Sequence, residues 1–243
     1  MAEAPSPPAA INPEPLPSRA GTWDEYDSKL LLARWQIPVV TEYLADSSAE
    51  AATLARRIGY PVVLKGLAPG LAHKSEHDLV RLGINDPRSL DNTYRQLRDA
   101  VGHRGRVLIQ QQVAGQYELI AGFLRDDQFG PCVMFGLGGI LAELDPDVMF
   151  TPAPLDATAA RQLIHAIRNH RLLTGFRGMK PLDETAMADL LVRLGDIGSA
   201  HPNITQIDIN PLLVTRGVPV AVDATVMLED GYCFSKCSPS SVH

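Results

Sequence analysis

The apolar positions of this chain follow two alternating rhythms, the 3.6-residue period of helices and the two-residue period of strands. Trp23 to Trp35 predicts a helix, with Leu30, Leu31 and Trp35 apolar among Asp24, Glu25, Asp27 and Lys29. Ile37 to Val40 leads into an extended piece. Ser47 with Glu50 makes a capping box. Ala51, Leu54, Ala55 and Ile58 follow at helical spacing, and Gly59 stops that helix. Pro61 to Leu64 is a short buried strand that delivers Lys65. Leu79 to Ile84 alternates like a strand, and Asp86-Pro87 opens a helix whose face is Leu90, Tyr94, Leu97 and Val101. Val107 to Ile109 is a strand followed by Gln110, Gln111 and Gln112. Tyr117 to Leu124 and Pro131 to Phe135 are strands joined by a turn at Arg125-Asp126-Asp127. Asp156 opens a helix through Ala160, Leu163, Ile164 and Ile167. Ala186, Leu190, Leu194 and Ile197 mark a last long helix.

The stretch Ile204 to Asp223, ITQIDINPLLVTRGVPVAVD, closes the pattern. It predicts a strand interrupted at Asn210-Pro211, a turn at Thr215-Arg216-Gly217, and a second strand from Pro219 leading to Asp223. Strand pairs joined by short turns, interleaved with helices, favour antiparallel or mixed sheets with helices packed on them. Neither a GxGxxG entry to a Rossmann unit nor a GxxxxGK[ST] phosphate loop is present, so a nucleotide site would be of another kind.

Composition narrows the class. Residues 1–20 hold six of the 19 prolines and little apolar surface, which predicts a disordered tail through residue 22. Beyond Leu228 the pattern is lost again, and 231–243 reads as a second flexible tail. The net charge of -6 argues against nucleic acid as a partner, because phosphate binding needs a basic face. No apolar run is long enough for a membrane span, the N-terminus lacks the apolar core of a secretory signal, and three cysteines give no disulfide framework. A cytoplasmic protein is expected, with no membrane partner.

Several residues carry candidate chemistry. Asp208, Asn210 and Asp223 offer oxygens at the ends of paired strands. Such a set suits a hard cation such as Mg²⁺, or else simply makes the turns of a surface hairpin. Lys65, at the end of an apolar strand, needs a partner for its ammonium, either a phosphate or an acidic neighbour. Gly136-Leu137-Gly138-Gly139 after a strand would let backbone N–H groups approach an anion, or form an ordinary turn. His73 lies in a loop, GLAPGLAHKSE, without hydrophobic periodicity. Arg177 sits between glycines in the loop TGFRGMK.

Taken together, IGYPVVLK (58–65), HKSE (73–76), FGPCVMFGLGGILAE (129–143), GFRG (175–178), IDINPLLV (207–214) and VDA (222–224) resemble the ATP-grasp domain of the ADP-forming acyl-CoA synthetases. The likeness is to the domain carried by the β subunit of ADP-forming acetyl-CoA synthetase, and it covers roughly residues 25 to 228. It implies an α+β ATP-grasp fold, two lobes whose sheets clasp a nucleotide, here 23–113 with the leading helix and 114–230. It also implies ATP/ADP with Mg²⁺. In this resemblance Lys65 reaches the phosphates, the strand ending at Gln110 to Gln112 is the hinge beside the adenine, and Glu118 binds the ribose hydroxyls. Gly138 and Gly139 belong to the nucleotide site, and Asn210 and Asp223 hold the metal with Asp208 as a ligand or close neighbour. His73 matches a histidine that carries a transient phosphoryl group, with Glu143 and Arg177 near the transfer.

The chain departs from the family pattern in three places. Glu76-His77-Asp78-Leu79 stands where the family has Asp, an aliphatic residue and two glycines after HKS. Met179-Lys180 replaces a usual Glu-Pro, and Pro146 replaces a common lysine. The resemblance implies a nucleotide-binding subunit of an ADP-forming acyl-CoA (acetate-type) synthetase. It would act on a small carboxylic acid and depend on a CoA-binding α-type subunit or domain in a hetero-oligomer. CoA would come through that partner. The altered loop motivates an alternative, a non-catalytic ATP-sensing module that regulates a partner enzyme.

Overall fold

A computed structural model describes residues 20–68, 79–139, 145–175 and 180–229. Its strands form two antiparallel sheets, each with helices on one face. The smaller contains β2 (Glu42–Ala45), β3 (Val62–Leu67), β4 (Val80–Ile84) and β5 (Arg106–Gln111), in the order β2-β5-β3-β4. Helices α2 (Ser48–Ile58) and α3 (Pro87–Val101) cover one of its faces. Both helices begin where the sequence predicts. The Ser47 side chain accepts from the Glu50 N–H (3.2 Å), and the Glu50 carboxylate accepts from the Asp46 N–H (2.9 Å). Asp86 Oδ1 accepts from the N–H groups of Arg88 (2.9 Å) and Ser89 (3.0 Å), satisfying amides that have no partner inside the helix. Gly59 ends α2 with a φ of 92°. Leu90, Tyr94, Leu97 and Val101 pack onto Val62, Leu64, Val107 and Ile109. Strand alternation therefore turns Glu42, Lys65, Leu108 and Gln110 to the opposite face.

The larger sheet holds β1 (Gly21–Thr22), β6 (Glu118–Asp126), β7 (Gly130–Leu137), β8 (Val148–Pro152), β9 (Ile204–Thr215), β10 (Val218–Ala221) and β11 (Ala224–Leu228). Its order is β1-β11-β9-β6-β7-β8, with β10 paired to β9. Helices α4 (Ala157–Ala166) and α5 (Glu184–Ala200) bury Leu163, Leu190 and Leu194 against Phe123, Phe135, Ile207 and Ile209. Asp156 and Asp183 cap their N-termini.

The long stretch near the C-terminus differs from its predicted form. Asn210-Pro211 does not interrupt a strand: β9 runs through it for 12 residues. What changes there is the partner. Val214 pairs with Pro219 of β10, whereas Asp208 pairs with Thr225 of β11. The predicted turn is present, with Arg216 and Gly217 at φ of 54° and 92°. Strand β11 had no sequence prediction, and neither did β8, whose Met149 and Phe150 are exposed and so show no inward alternation.

Helix α1 (Glu25–Arg34) joins the two layers. Its Leu31 and Leu32, with Trp35 just beyond, lie in the core of the larger sheet. The Ser28 hydroxyl accepts from the Val226 N–H (3.0 Å), and β1 pairs with β11. The strands of the smaller sheet all lie within 23–113, and those of the larger, β1 aside, within 114–230. The leading helix nevertheless packs its apolar face into the larger core and sends Glu25 and Lys29 to the smaller sheet. Among the described residues no helix is long and apolar enough to cross a membrane.

Candidate functional site

The polar face of the smaller sheet meets the ends of β9, β10 and β11 at one place. Lys65 leaves β3 there, only 5% exposed. Its ammonium donates to Glu25 Oε1 (2.6 Å) and to the Val222 carbonyl (3.3 Å), and it lies 3.8 Å from Asp223 Oδ2. Of the two partners the sequence left open for Lys65, the acidic neighbour is present, and it comes from α1.

The same Glu25 oxygen accepts from Lys29 Nζ (2.7 Å). That ammonium also donates to Gln110 Oε1 (3.1 Å) and to the Val222 carbonyl (2.9 Å), and it pairs with the Glu42 carboxylate. Lys29 and Glu25 are each 1% exposed. Burial pushes the Glu42 carboxyl up to about 7, against the pull of Lys29. Desolvation of a carboxylate disfavours its charged form, and here it outweighs the neighbouring cation.

The candidate metal residues gather beside this cluster. Asp208 lies on β9 between Gly122 of β6 and Thr225 of β11. Its neighbours Ile207 and Ile209 point into the core, so alternation places it on the opposite face. Burial first, and then the charge of Asp223, pushes its carboxyl above the usual range. The Asn210 N–H donates to the Asp223 carbonyl (3.2 Å), which ties the two segments together. Two carboxylates that raise each other's energy, with Asn210 two residues beyond Asp208 on the same strand, offer oxygen donors. A hard cation between them would relieve the repulsion, with phosphates or water completing its shell. Among the described residues no group of three or more His, Cys, Asp and Glu side chains is placed to hold a metal by itself.

Glu118 opens β6 and is exposed. The Gly138 N–H donates to its carbonyl (2.9 Å). A Cβ at Gly139, where φ is 65°, would stand 2.9 Å from Glu118 Oε2. The Glu118 carboxylate could swing away from a side chain there, but the positive φ would strain any residue other than glycine.

The two glutamines separate. Gln110 is buried and joins the charge cluster through Lys29. Gln112 is exposed, and its side-chain oxygen accepts from the Gly83 N–H (2.7 Å) on β4, away from that cluster. His73, Glu143 and Arg177 lie outside the described residues. Glu25, Lys29 and Glu42 escaped the sequence reading. The available signal was the Glu25–Lys29 pair at i, i+4, which on a helix ordinarily marks a solvated face.

A family model described as an ATP-grasp domain matches residues 16–228. The acetate–CoA ligase [ADP-forming] I subunit beta of Pyrococcus furiosus is 36% identical over 210 residues, covering 84% of this chain and 90% of that one. Two solved structures of the dinucleotide forming acetyl-coenzyme A synthetase 1 of Ca. Korarchaeum cryptofilum superpose well. One, in complex with coenzyme A, Ca-AMPCP and HgCl+, is 38% identical, covers 86% of this chain and 94% of that one, and has a TM-score of 0.81. The other, in complex with coenzyme A and Mg-AMPPCP, has its phosphohistidine segment pointing towards the nucleotide binding site. It is 37% identical, covers 86% and 93%, and has a TM-score of 0.77.

Proposed function

The chain belongs to the ATP-grasp domain family, and on that premise we propose that it is the nucleotide-binding subunit of an ADP-forming acyl-CoA synthetase, an acid–thiol ligase. The overall reaction is carboxylic acid, CoA and ATP to acyl-CoA, ADP and phosphate. In the step assigned to this subunit, an imidazole nitrogen of His73 attacks the γ-phosphorus of ATP. The bond from that phosphorus to the β–γ bridging oxygen breaks, ADP leaves with the electron pair, and the ring N–H proton passes to solvent. Neutral imidazole is a competent nucleophile near neutral pH.

The remaining residues position charge, as phosphoryl transfer demands. Lys65 faces the phosphates. Glu118 receives the ribose hydroxyls, with Gly138 and Gly139 letting the nucleotide approach. Asp208, Asn210 and Asp223 hold Mg²⁺, which supplies neutralisation of the phosphate oxygens. Arg177 steadies the transferring group, and Glu143 orients the histidine ring. CoA and the acid engage an α-type partner; the Pyrococcus relative is itself a β subunit. The relatives are ligases rather than sensors, so the non-catalytic alternative is not favoured.

The observation that carries this reading is the meeting of Lys65 from one sheet with Asp223 from the other, 3.8 Å apart. A phosphate chain and its metal need a cation for the phosphate oxygens and a carboxylate for the metal in one place, and these two residues bring them there from separate sheets. The test is transfer from γ-labelled ATP with Mg²⁺, with and without a candidate α subunit. Acid-labile, base-stable label on the wild type and none on His73→Ala is the expected result. Label that persists in His73→Ala, or none on the wild type in any combination, would overturn the relay.

A further inference from the structure

Lys29 has no part in the assignments above, yet it is among the largest fully buried side chains. An ammonium carries three protons. Around this one stand the carboxylates of Glu25 and Glu42, the Gln110 side-chain oxygen and the Val222 carbonyl. Those acceptors come from three bodies. Glu25 lies on α1, Glu42 and Gln110 on the polar face of the smaller sheet, and Val222 on the segment linking β10 to β11 in the larger.

Two of these contacts lead directly to the reacting centre. Glu25 Oε1 is also the closest partner of Lys65, at 2.6 Å. Val222 is the residue before Asp223 and also accepts from Lys65 (3.3 Å). A shift of Lys29 therefore acts on the phosphate-facing lysine through Glu25 and on the metal-facing carboxylate through the backbone of Val222. A bridge built only for stability would not need charge, since well-packed apolar side chains replace buried ion pairs at little cost or with gain.

We propose that Lys29 is a positioning residue that sets the distance between Lys65 and the Asp208–Asp223 carboxylates, and so couples nucleotide binding to metal binding. The inference rests on the functional reading above. Lys29 touches neither nucleotide nor metal; it acts through Glu25 and Val222.

The test measures ATP affinity by calorimetry on the full chain, with and without Mg²⁺, for the wild type, Lys29→Met and the double variant Lys29→Met/Glu42→Gln. The double variant removes the Lys29 ammonium together with the carboxyl it pairs with, so that Glu42 is not left buried without its partner, and it guards against simple misfolding. The informative quantity is the factor by which Mg²⁺ strengthens ATP binding. A bridge that is merely structural would scale both affinities alike. The expected result is a double variant that melts near the wild-type temperature but keeps a Mg²⁺ enhancement lower by about tenfold. A double variant that is folded and whose enhancement matches the wild type overturns the positioning role while leaving the nucleotide site intact. A wild type with no Mg²⁺-dependent ATP binding overturns the functional reading, and the inference with it.

Discussion

Two acidic groups meet at the junction of the two sheets, and they differ in what balances them. Glu25 and Glu42 are buried against the ammonium groups of Lys29 and Lys65, so the counter-charges of that cluster come from within the chain, although burial still outweighs Lys29 at Glu42. Asp208 and Asp223 are carboxylates that repel one another, the first pushed up by burial and by the second, with Lys65 forming an ion pair to Asp223 at 3.8 Å, beyond hydrogen-bonding reach. The first cluster is built to hold a shape. The second stores repulsion that an added cation would release. The contrast separates scaffold from site more sharply than burial does, because both clusters lie at the same junction of sheets.

The comparison breaks most easily at Glu25. In Glu25→Ala the two ammonium groups that share one of its oxygens are left buried together. A loss of about 3–5 kcal/mol is expected, read from urea denaturation of the nucleotide-free protein. A loss below about 1 kcal/mol would mean that the cluster is not the scaffold described here.

Glu42 sharpens the contrast through pH. Its folded carboxyl titrates near 7, above the ordinary 4.5. Between those values the folded state holds a proton that the unfolded state has released. The contribution of this group is thus full below about pH 4.5 and is lost as pH rises through 7. Glu42→Gln, which cannot ionise, is expected to match the wild type near pH 4.5. It should gain on the wild type as pH rises to 8, by at most about 3 kcal/mol. A parallel pair of stability curves would refute the shift.

Asp223→Asn tests the other side. The stability of the nucleotide-free protein should move by less than about 1 kcal/mol, since the substitution removes repulsion from Asp208 along with attraction to Lys65. Affinity for ATP in the presence of Mg²⁺ should fall by about tenfold or more. The opposite outcome, a destabilised protein with unchanged Mg²⁺ dependence, would make this carboxylate part of the scaffold.

How much of this was legible in the sequence follows from how local each determinant is. The caps at Ser47, Asp86 and Asp156 lie within three residues of the amides they satisfy, so the start of each helix could be read directly. The hydrophobic faces of α3 and α5 were legible for the same reason. The candidate residues of β9 stood out because polar groups broke an apolar run. What could not be read depends on distant partners. Glu25 and Lys29 look like a solvated helical pair until Lys65, Gln110 and Val222 close over them. Gln110 and Gln112 look alike in sequence, and only sheet register sends one to Lys29 and the other to Gly83. Strand β11 is short and begins beside Asp223, so the polar segment before it read as an end rather than a crossing.

The attachment of α1 to the larger sheet bears on how the chain reaches its fold during synthesis. The strands and helices of the smaller sheet lie between Glu42 and Gln111 and pair within that span, so that layer can be assembled while the rest is still being translated. The leading helix emerges earlier still. Yet the Ser28 hydroxyl binds an amide 198 residues further on, and β1 pairs with the last strand described. This early segment must therefore wait, with Leu31, Leu32 and Trp35 uncovered, until the strands of the larger sheet have been made. The charge cluster that unites the two layers is for that reason among the last features to form, and its completion marks the close of folding rather than its beginning.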